Sequence, residues 1–226
     1  MNIQFESAGV SFGARVALEP LTLAITGKRI GVIGLNGSGK TTFARLVNGL
    51  TKPTTGRVIV NGPSIRPTRR RLSPHVGLHL SSREQNQIIL PIVKYDIAFG
   101  LKRRGLSKAE IEARVEGVLA RFGAEALADR RAHEASGGEL QVAALCSVLA
   151  TGPGILILDE PTNQLDLKNR ALVERIIAGL PESAIVITHD LELIAGFERV
   201  LVFHEGRLAA DEPAAEAIAR YREIAA

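Results

Sequence analysis

The stretch GLNGSGKTT, residues 34–42, constrains the fold of this chain more than any other part of the sequence. It follows the apolar run RIGVIG and precedes TTFARLVNGL, whose apolar residues recur at helical spacing. A glycine-rich loop between a strand and a helix turns backbone N–H groups toward an anion, and the helix dipole favours negative charge there. The loop therefore predicts a site for nucleotide phosphates in an α/β fold.

Two residues of this loop have specific expected roles. Lys40 adds a positive charge for the phosphates, and Thr41 offers a hydroxyl ligand to Mg²⁺. The other residues expected to contact the nucleotide are Asn36, Gly37, Ser38, Gly39 and Thr42.

The order of sequence patterns predicts the organisation of the chain. Strand-like runs alternate with helical patterns after Lys40, which favours an α/β fold with a largely parallel sheet. From about 93 to 150 the chain is instead helical, and Ser107 and Glu110 form a capping box within that stretch. We expect one domain over residues 1–226, with a helical insertion at about 93–150 and no regulatory domain after the last helix.

Composition excludes several classes of function. Cys146 is the single cysteine and lies in an apolar helical run, so we expect a buried thiol and no cysteine-based metal or redox site. No segment approaches the roughly 18 apolar residues of a membrane span, and the N-terminus does not resemble a signal peptide, so we expect a cytoplasmic protein. The net charge is +4, with a basic loop at Arg66, Arg69, Arg70 and Arg71, but aromatic residues make up only 4%. With so few rings to stack on bases, we do not expect nucleic-acid binding.

Acidic and imidazole side chains follow two later strand patterns. The run ILILDE, residues 155–160, ends in two acids, at the end of a parallel strand where α/β sheets bind ligands. Asp159 suits the shell of Mg²⁺, and Glu160 is expected to polarise a water toward the γ-phosphate as general base. His189 ends the next strand and can hydrogen-bond the γ-phosphate or the water; a core histidine is the alternative.

A second loop, ASGGELQ at residues 135–141, also places two glycines at the start of an apolar helix. Together, GLNGSGKTT, ASGGELQ, ILILDEPTNQLD and ITHD, in this order and spacing, resemble the ATP-binding cassette (ABC) ATPases over nearly the whole chain. The resemblance implies a P-loop NTPase fold with a RecA-like, mostly parallel core, an antiparallel β portion and a helical subdomain. It also implies that the two loops serve different ATP molecules in a head-to-tail dimer.

The resemblance assigns roles to further residues. The second loop completes the nucleotide site of the opposite subunit, through Ser136, Gly137, Gly138 and Glu139. Asp166, in NQLD, matches the family's D-loop at the dimer seam. Phe12 falls where the family has an aromatic ring stacked on adenine, and a residue of a core strand is the alternative.

One segment, NQIILPIVKYDIAFGLKRRGLS, resembles the ATPases of energy-coupling-factor importers. That likeness implies an ATPase on the inner face of the cell membrane, whose helical lobe accepts a coupling helix from an integral membrane subunit. A second membrane subunit recognises the substrate, which is expected to be a vitamin, with biotin favoured, or a transition-metal ion. Because every motif is present on this chain, a homodimer suffices, and a heterodimer with a paralogue is the alternative.

Two positions depart from the family pattern. Ala135 stands where the family usually has leucine. The family's glutamine that links nucleotide to membrane subunit is replaced by Ser81 or Ser82, so Ser82 or a relocated Gln85 is the candidate additional Mg²⁺ ligand. Two other functions stay open at this point: a soluble ABC ATPase for assembly or repair, and an ATP-binding switch with negligible turnover.

Overall fold

The computed structural model describes residues 1–61, 64–65, 76–80, 88–102, 104–163 and 165–226, with the backbone alone at 64–65 and 78–80. The chain forms two compact units. The first comprises Met1–Val76, Gly154–Asp159 and Glu182–Ala226, and the second comprises Gly77–Pro153 and Glu160–Pro181. The second unit contains the predicted insertion at 93–150 and also a later segment; the single-domain organisation stays a prediction.

The described residues form the following regular elements. The strands are β1 (Asn2–Phe12), β2 (Arg15–Thr26), β3 (Arg29–Gly34), β4 (Thr55–Val60), β5 (Ser64–Ile65), β6 (Val76–Leu80), β7 (Ile155–Asp159), β8 (Ser183–Ile187), β9 (Arg199–His204) and β10 (Arg207–Glu212). The helices are α1 (Lys40–Val47), α2 (Val93–Phe99), α3 (Lys108–Arg121), α4 (Gly137–Leu149), α5 (Leu167–Gly179), α6 (Leu191–Ile194) and α7 (Ala214–Ala225). Short 3-10 helices cover Glu125–Leu127 and Ala132–Glu134.

The first unit contains an antiparallel sheet in the order β2-β1-β4-β5. Alternate residues of β1 are buried, and their partners on β2 are buried as well: Ile3 pairs with Ile25, and Phe5 pairs with Leu23. Because side chains alternate between the two faces of a strand, these pairs build one apolar face and leave the other polar. This sheet is the antiparallel portion that the sequence resemblance implies.

A second sheet of the first unit is mostly parallel and runs in the order β10-β9-β3-β8-β7. Strands β9, β3, β8 and β7 are parallel, and β10 is antiparallel to β9. Strands β7 and β8 are almost entirely buried, which explains their continuous aliphatic sequences. The register pairs Asp159 with Ile187 and Gly34 with Phe203, so the carboxyl ends of these strands share one edge. The predicted α/β fold is confirmed.

An aromatic cluster fixes helix α1 in the first unit. Phe43 of α1 stacks on Phe5 with the ring centroids 5.1 Å apart, and it lies 5.1 Å from the ring of Phe203. Phe5 belongs to the antiparallel sheet and Phe203 to the mostly parallel sheet, so one helical side chain joins both. The N-terminus of α1, which follows the glycine-rich loop, is thereby held in place.

The second unit is helical over most of its described length. Helices α2 and α3 contact α4, and α4 contacts α5. The predicted capping box at the start of α3 is confirmed: Ser107 Oγ accepts a hydrogen bond from Glu110 N, and the Glu110 carboxylate accepts one from Ser107 N at 2.7 Å. Cys146 is fully buried, as predicted. Among the described helices, none is long and apolar enough to cross a membrane.

Candidate functional site

The glycine-rich loop joins β3 to α1, and two of its glycines are required by geometry. Gly34 has φ +151°, and a Cβ there would overlap the carbonyl oxygen of Phe203. Gly39 has φ +102°, and its Cβ would lie 2.9 Å from the carbonyl oxygen of Ala17. Other residues rarely adopt these dihedral angles, so the loop curls only because glycine is present. Asn36 and Gly37 are exposed, Ser38 is buried, and Thr42 is half-buried.

Lys40 closes this loop in the structure. Its ammonium donates hydrogen bonds to the carbonyl oxygens of Gly34, at 2.7 Å, and Leu35, at 2.9 Å. The turn between β9 and β10 also fixes the loop, because Gly206 N donates a hydrogen bond to the Ser38 carbonyl at 3.1 Å. The carbonyl oxygens of Gly34 and Leu35 are neutral acceptors, so an ionised phosphate can compete with them for the ammonium through a stronger, charge-assisted bond.

Thr41 and Asp159 come together although 118 residues separate them in the chain. Thr41 Oγ1 lies 3.5 Å from Asp159 Oδ2, at the edge where β7 ends. Hydroxyl and carboxylate oxygens are ligands that suit Mg²⁺, which usually keeps several waters and binds substrate phosphates as well. No group of three or more His, Cys, Asp or Glu side chains forms a metal site in the described parts of the chain. Two protein oxygens fit an ion held largely by phosphate and water.

Glu160 directly follows Asp159 and has an unusual backbone. Its φ is +56°, a left-handed conformation that non-glycine residues adopt only when their surroundings enforce it. The following residue, Pro161, is buried, and Asn163 N donates to the Glu160 carbonyl at 3.2 Å. The strand thus ends in a sharp, fixed turn that sets the direction of the carboxylate.

His189 is exposed at the end of β8, which does not fit the alternative of a core histidine. Its backbone neighbours are held firmly. Thr188 N donates to the Val32 carbonyl at 3.1 Å, and Asp190 caps α6 while its N–H bonds Thr188 Oγ1 at 2.9 Å. The backbone on both sides of His189 is therefore fixed by hydrogen bonds, and the imidazole is exposed to solvent.

Ser136 caps helix α4 through a capping box with Glu139. Ser136 Oγ accepts from Glu139 N at 3.3 Å, and the Glu139 carboxylate accepts from Ser136 N at 2.8 Å. Because the hydroxyl oxygen accepts in this box, its hydrogen stays available to donate to a phosphate. The backbone N–H of Ser136 lowers the pKa of Glu139 most, and Arg130, 2.7 Å away, lowers that pKa further. Ser136 and Gly137 are exposed, whereas Gly138 is buried.

A sequence model of the family described as ABC transporter matches residues 18–163. The chain belongs to the ABC transporter family. The biotin transport ATP-binding protein BioM of Rhizobium etli is 90% identical to it over 226 residues, which is all of both chains. The energy-coupling factor transporter ATP-binding protein EcfA1 of Symbiobacterium thermophilum is 37% identical over 210 residues, covering 90% of this chain and 73% of that protein.

The fold is similar to that of a solved family member. The structure of cbiO1 from Clostridium perfringens, described as part of the ABC transporter complex cbiONQ, has a TM-score of 0.85 and 29% identity. It covers 99% of this chain, which in turn covers 92% of that structure. The resemblance to ABC ATPases is confirmed: the chain is an ATP-binding, ATP-hydrolysing protein of this family.

The segment predicted to be the D-loop leads into α5. Asp166 caps this helix: its Oδ1 accepts from Asn169 N at 2.8 Å, and its Oδ2 accepts from Asn169 Nδ2 at 3.0 Å. Leu167, the first helical residue, is 84% exposed. The sequence alone does not indicate the exposure of Leu167 or the hydrogen bond from the Asn169 side chain to Asp166.

Phe12 lies at the end of β1, where it pairs with Arg15 across the hairpin, and it is 60% exposed. This exposure does not fit the alternative of a core residue, and it leaves the ring accessible for stacking. The candidate Mg²⁺ ligands Ser82 and Gln85, with Ser81, lie outside the described residues, as does the basic loop at 66–71.

Proposed function

We propose that this ABC ATPase binds two ATP molecules with Mg²⁺ across a dimer and uses their hydrolysis to drive biotin import through membrane partner subunits. The observation that carries the enzymatic part is the contact of Thr41 with Asp159 at the edge of the parallel sheet where Lys40 closes the glycine-rich loop. Import of biotin is supported by full-length identity of 90% to the Rhizobium etli biotin transport ATP-binding protein.

In the proposed reaction, the chain orients ATP and removes one proton. Backbone N–H groups of the glycine-rich loop and Lys40 hold the phosphates. Thr41 and Asp159 would hold Mg²⁺, which would supply positive charge to neutralise the phosphates. Glu160 accepts a proton from the attacking water as the water oxygen bonds to the γ-phosphorus. The bond from the γ-phosphorus to the bridging oxygen breaks, and ADP and phosphate leave. His189 hydrogen-bonds the γ-phosphate or the water.

A second copy of this chain completes each site. Three exposures support this part of the proposal: Ser136 and Gly137 open a helix N-terminus to solvent, and the apolar side chain of Leu167 is exposed beside the capping Asp166. A helix N-terminus attracts anions, and a large exposed apolar side chain is suited to a protein interface. Ser136, Gly137, Gly138 and Glu139 would then contact the phosphates of the ATP held by the partner, whose Phe12 would stack on the adenine of the same ATP.

The membrane subunit would dock on the helical unit. A groove of about 610 Å³ lies in this unit, and Tyr95, Ile111 and Val115 are among the side chains that line it. Ile89 and Phe99 of the same unit are exposed apolar residues. An apolar groove suits the apolar face of a coupling helix. The ATPase would thereby sit on the inner face of the membrane, while a separate membrane subunit binds biotin.

Substitution of Glu160 tests the enzymatic proposal. Glu160→Gln should retain ATP affinity, lose phosphate release and accumulate an ATP-bound dimer, because binding depends on the phosphate loop while turnover needs the carboxylate. Size-exclusion chromatography with Mg²⁺-ATP and a phosphate-release assay measure both effects, and Lys40→Ala, which should stay monomeric, is the control. If Glu160→Gln also stays monomeric with ATP, the shared-site proposal fails. Negligible turnover by the wild type would instead indicate an ATP-binding switch.

Transport is tested by isolating the chain with its partners. We expect it to co-purify with integral membrane proteins and to support ATP-dependent uptake of labelled biotin in proteoliposomes. Uptake of a transition-metal ion in place of biotin would contradict the substrate. Co-purification with soluble proteins alone would contradict the transport role and favour a soluble ABC ATPase.

A further inference from the structure

Gln141 is a buried amide that the proposed reaction does not use. It lies in the second turn of α4 and is 1% exposed. Its Nε2 donates a hydrogen bond of 2.8 Å to the carbonyl oxygen of Pro161. Its Oε1 has no hydrogen-bond partner among the described residues. The amide therefore makes one bond inside the second unit and leaves one buried acceptor unsatisfied.

Packing alone does not explain an amide at this position. A buried acceptor without a partner has lost its hydrogen bonds to water and forms none with the protein, so it destabilises the folded state. Methionine has a similar length and volume, lacks the unsatisfied oxygen, and suits the apolar run LQVAALCSVLA in which Gln141 lies. What methionine cannot supply is the N–H that reaches Pro161. The distinctive contribution of Gln141 is thus its bond to the Pro161 carbonyl.

That bond holds the turn that carries Glu160. We define the catalytic turn as Glu160–Asn163. Glu160 has the left-handed φ of +56°, and the bond from Asn163 N to the Glu160 carbonyl closes the turn at 3.2 Å. A strained residue keeps its conformation only where several contacts fix it together. Pro161 has no N–H of its own, so its carbonyl is the backbone group through which a neighbour can anchor this peptide.

We propose that Gln141 is a positioning residue for hydrolysis: its amide holds the catalytic turn so that Glu160 of the same chain faces the attacking water. This inference rests on the proposed role of Glu160 as general base. The same helix begins at the signature loop, Ser136–Gly138, which would contact the partner's ATP. Helix α4 would therefore contribute to both nucleotide sites of the dimer. Its N-terminus would contact the partner's ATP, and Gln141 would position Glu160 in the site of its own chain.

Mixed dimers with a single complete site test this assignment. One chain carries Lys40→Ala and the other carries Ser136→Arg, so the complete site combines Lys40 and Glu160 of the second chain with Ser136 of the first. Neither homodimer has a complete site, so phosphate release reports the mixed dimer. Gln141→Met is then introduced either into the chain that supplies Glu160 or into the chain that supplies the signature loop.

If Gln141 positions Glu160, the change should lower kcat about tenfold more in the chain that supplies Glu160 than in the other chain, since small misplacements of reacting groups are costly. The KM for ATP should change less than about twofold, because the phosphate loop is untouched. Equal losses in both arrangements, a larger loss in the chain that supplies the signature loop, or no loss in either would overturn the proposal.

Three controls separate this effect from misfolding and from failure of the shared site. Ser147→Ala removes another hydrogen bond from α4, to Asp96 at 3.0 Å, and should leave kcat within about twofold of wild type. If Gln141→Met lowers the melting temperature so far that the protein does not fold at assay temperature, Gln141→Asn replaces it, because the shorter amide no longer reaches Pro161. If mixed dimers without a change at Gln141 release no phosphate despite proven subunit exchange, the shared-site proposal fails. In that case, the kcat and KM of homodimers that carry only Gln141→Met still test the role of Gln141.

Discussion

Neighbouring glycines of the signature loop should respond oppositely to alanine. A Cβ at Gly138 would lie 2.5 Å from Asn169 Nδ2 and closer still to Asn169 Cγ, whereas a Cβ at Gly137 would meet nothing within 4 Å. Carbon atoms in contact are normally about 3.5–4.0 Å apart, so Gly138→Ala forces the Asn169 side chain to move. Movement of that side chain breaks its 3.0 Å bond to Asp166 and disturbs the start of α5.

The expected size of the effect follows from these contacts. Overpacking a buried site costs about 1–3 kcal/mol, while alanine in place of glycine in a helix recovers up to about 1 kcal/mol. With the full helical gain, Gly138→Ala should therefore destabilise the chain by up to about 2 kcal/mol, which lowers the melting temperature by up to about 8 °C at this chain length. Gly137→Ala has only the helical gain, so its melting temperature should equal or exceed that of the wild type.

Thermal unfolding of the nucleotide-free monomer, followed by circular dichroism, measures both variants. Asn169→Ala should restore stability to Gly138→Ala, and a double-mutant cycle should give a coupling energy of about 1 kcal/mol or more. The reasoning is refuted if Gly138→Ala melts no lower than Gly137→Ala, or if Asn169→Ala fails to rescue it. Phosphate release by Gly137→Ala should fall despite its stability, because a side chain there would keep the backbone away from the partner's ATP.

Three further predictions concern other residues. The pKa of Glu139 is lowered from 4.5, so its contribution to stability is complete above about pH 4.5 and is lost as pH falls through the lower folded-state value; urea unfolding should show an advantage of wild type over Glu139→Gln at pH 7 that shrinks as the pH is lowered below about 4.5. Burial raises the pKa of Cys146 to about 12, so about one thiol in ten thousand is ionised at pH 8; iodoacetamide should label it only after unfolding, and rapid labelling of the native protein would contradict this. Replacement of the family's glutamine by serine should leave ATP binding normal and slow turnover about tenfold relative to family members that retain it; among Ser81→Ala, Ser82→Ala and Gln85→Ala, a collapse of phosphate release confined to Gln85→Ala would show that the amide was relocated.

Sequence patterns predicted the features that depend on local chemistry and on the geometry of parallel sheets. The glycine-rich loop predicts its own position between β3 and α1, because strand and helix periodicities surround it. Thr41 and Asp159 were expected at one edge because the carboxyl ends of parallel strands meet there, and the structure places their oxygens 3.5 Å apart. No tertiary information is needed for either step.

Other features depend on packing between distant segments, which no local pattern encodes. Gln141 lies inside an apolar helical run, and its partner Pro161 is 20 residues away in the chain. The second unit contains the predicted helical insertion together with the segment from 160 to 181, because α5 packs on α4; no local pattern indicates that this later segment belongs with the insertion. Leu167 would be assigned to a core from its type alone, yet it is exposed at the first turn of a helix.

The two glycine loops look alike in sequence, but the structure requires glycine in them for different physical reasons. Gly34, Gly37 and Gly39 all have positive φ, so alanine there would strain the backbone by about 1 kcal/mol or more per residue, even with the site empty. Gly137 and Gly138 lie in the first turn of α4 and are not among the residues with positive φ, so the backbone alone requires neither. Gly138 is required by Asn169 within its own chain. In the proposed shared site, Gly137 is required only by the approach of a partner's ATP. Alanine in the first loop should therefore impair the isolated chain, whereas alanine at Gly137 should impair only the dimer, and this difference distinguishes a loop that folds around its own phosphate from one that is presented to another subunit's.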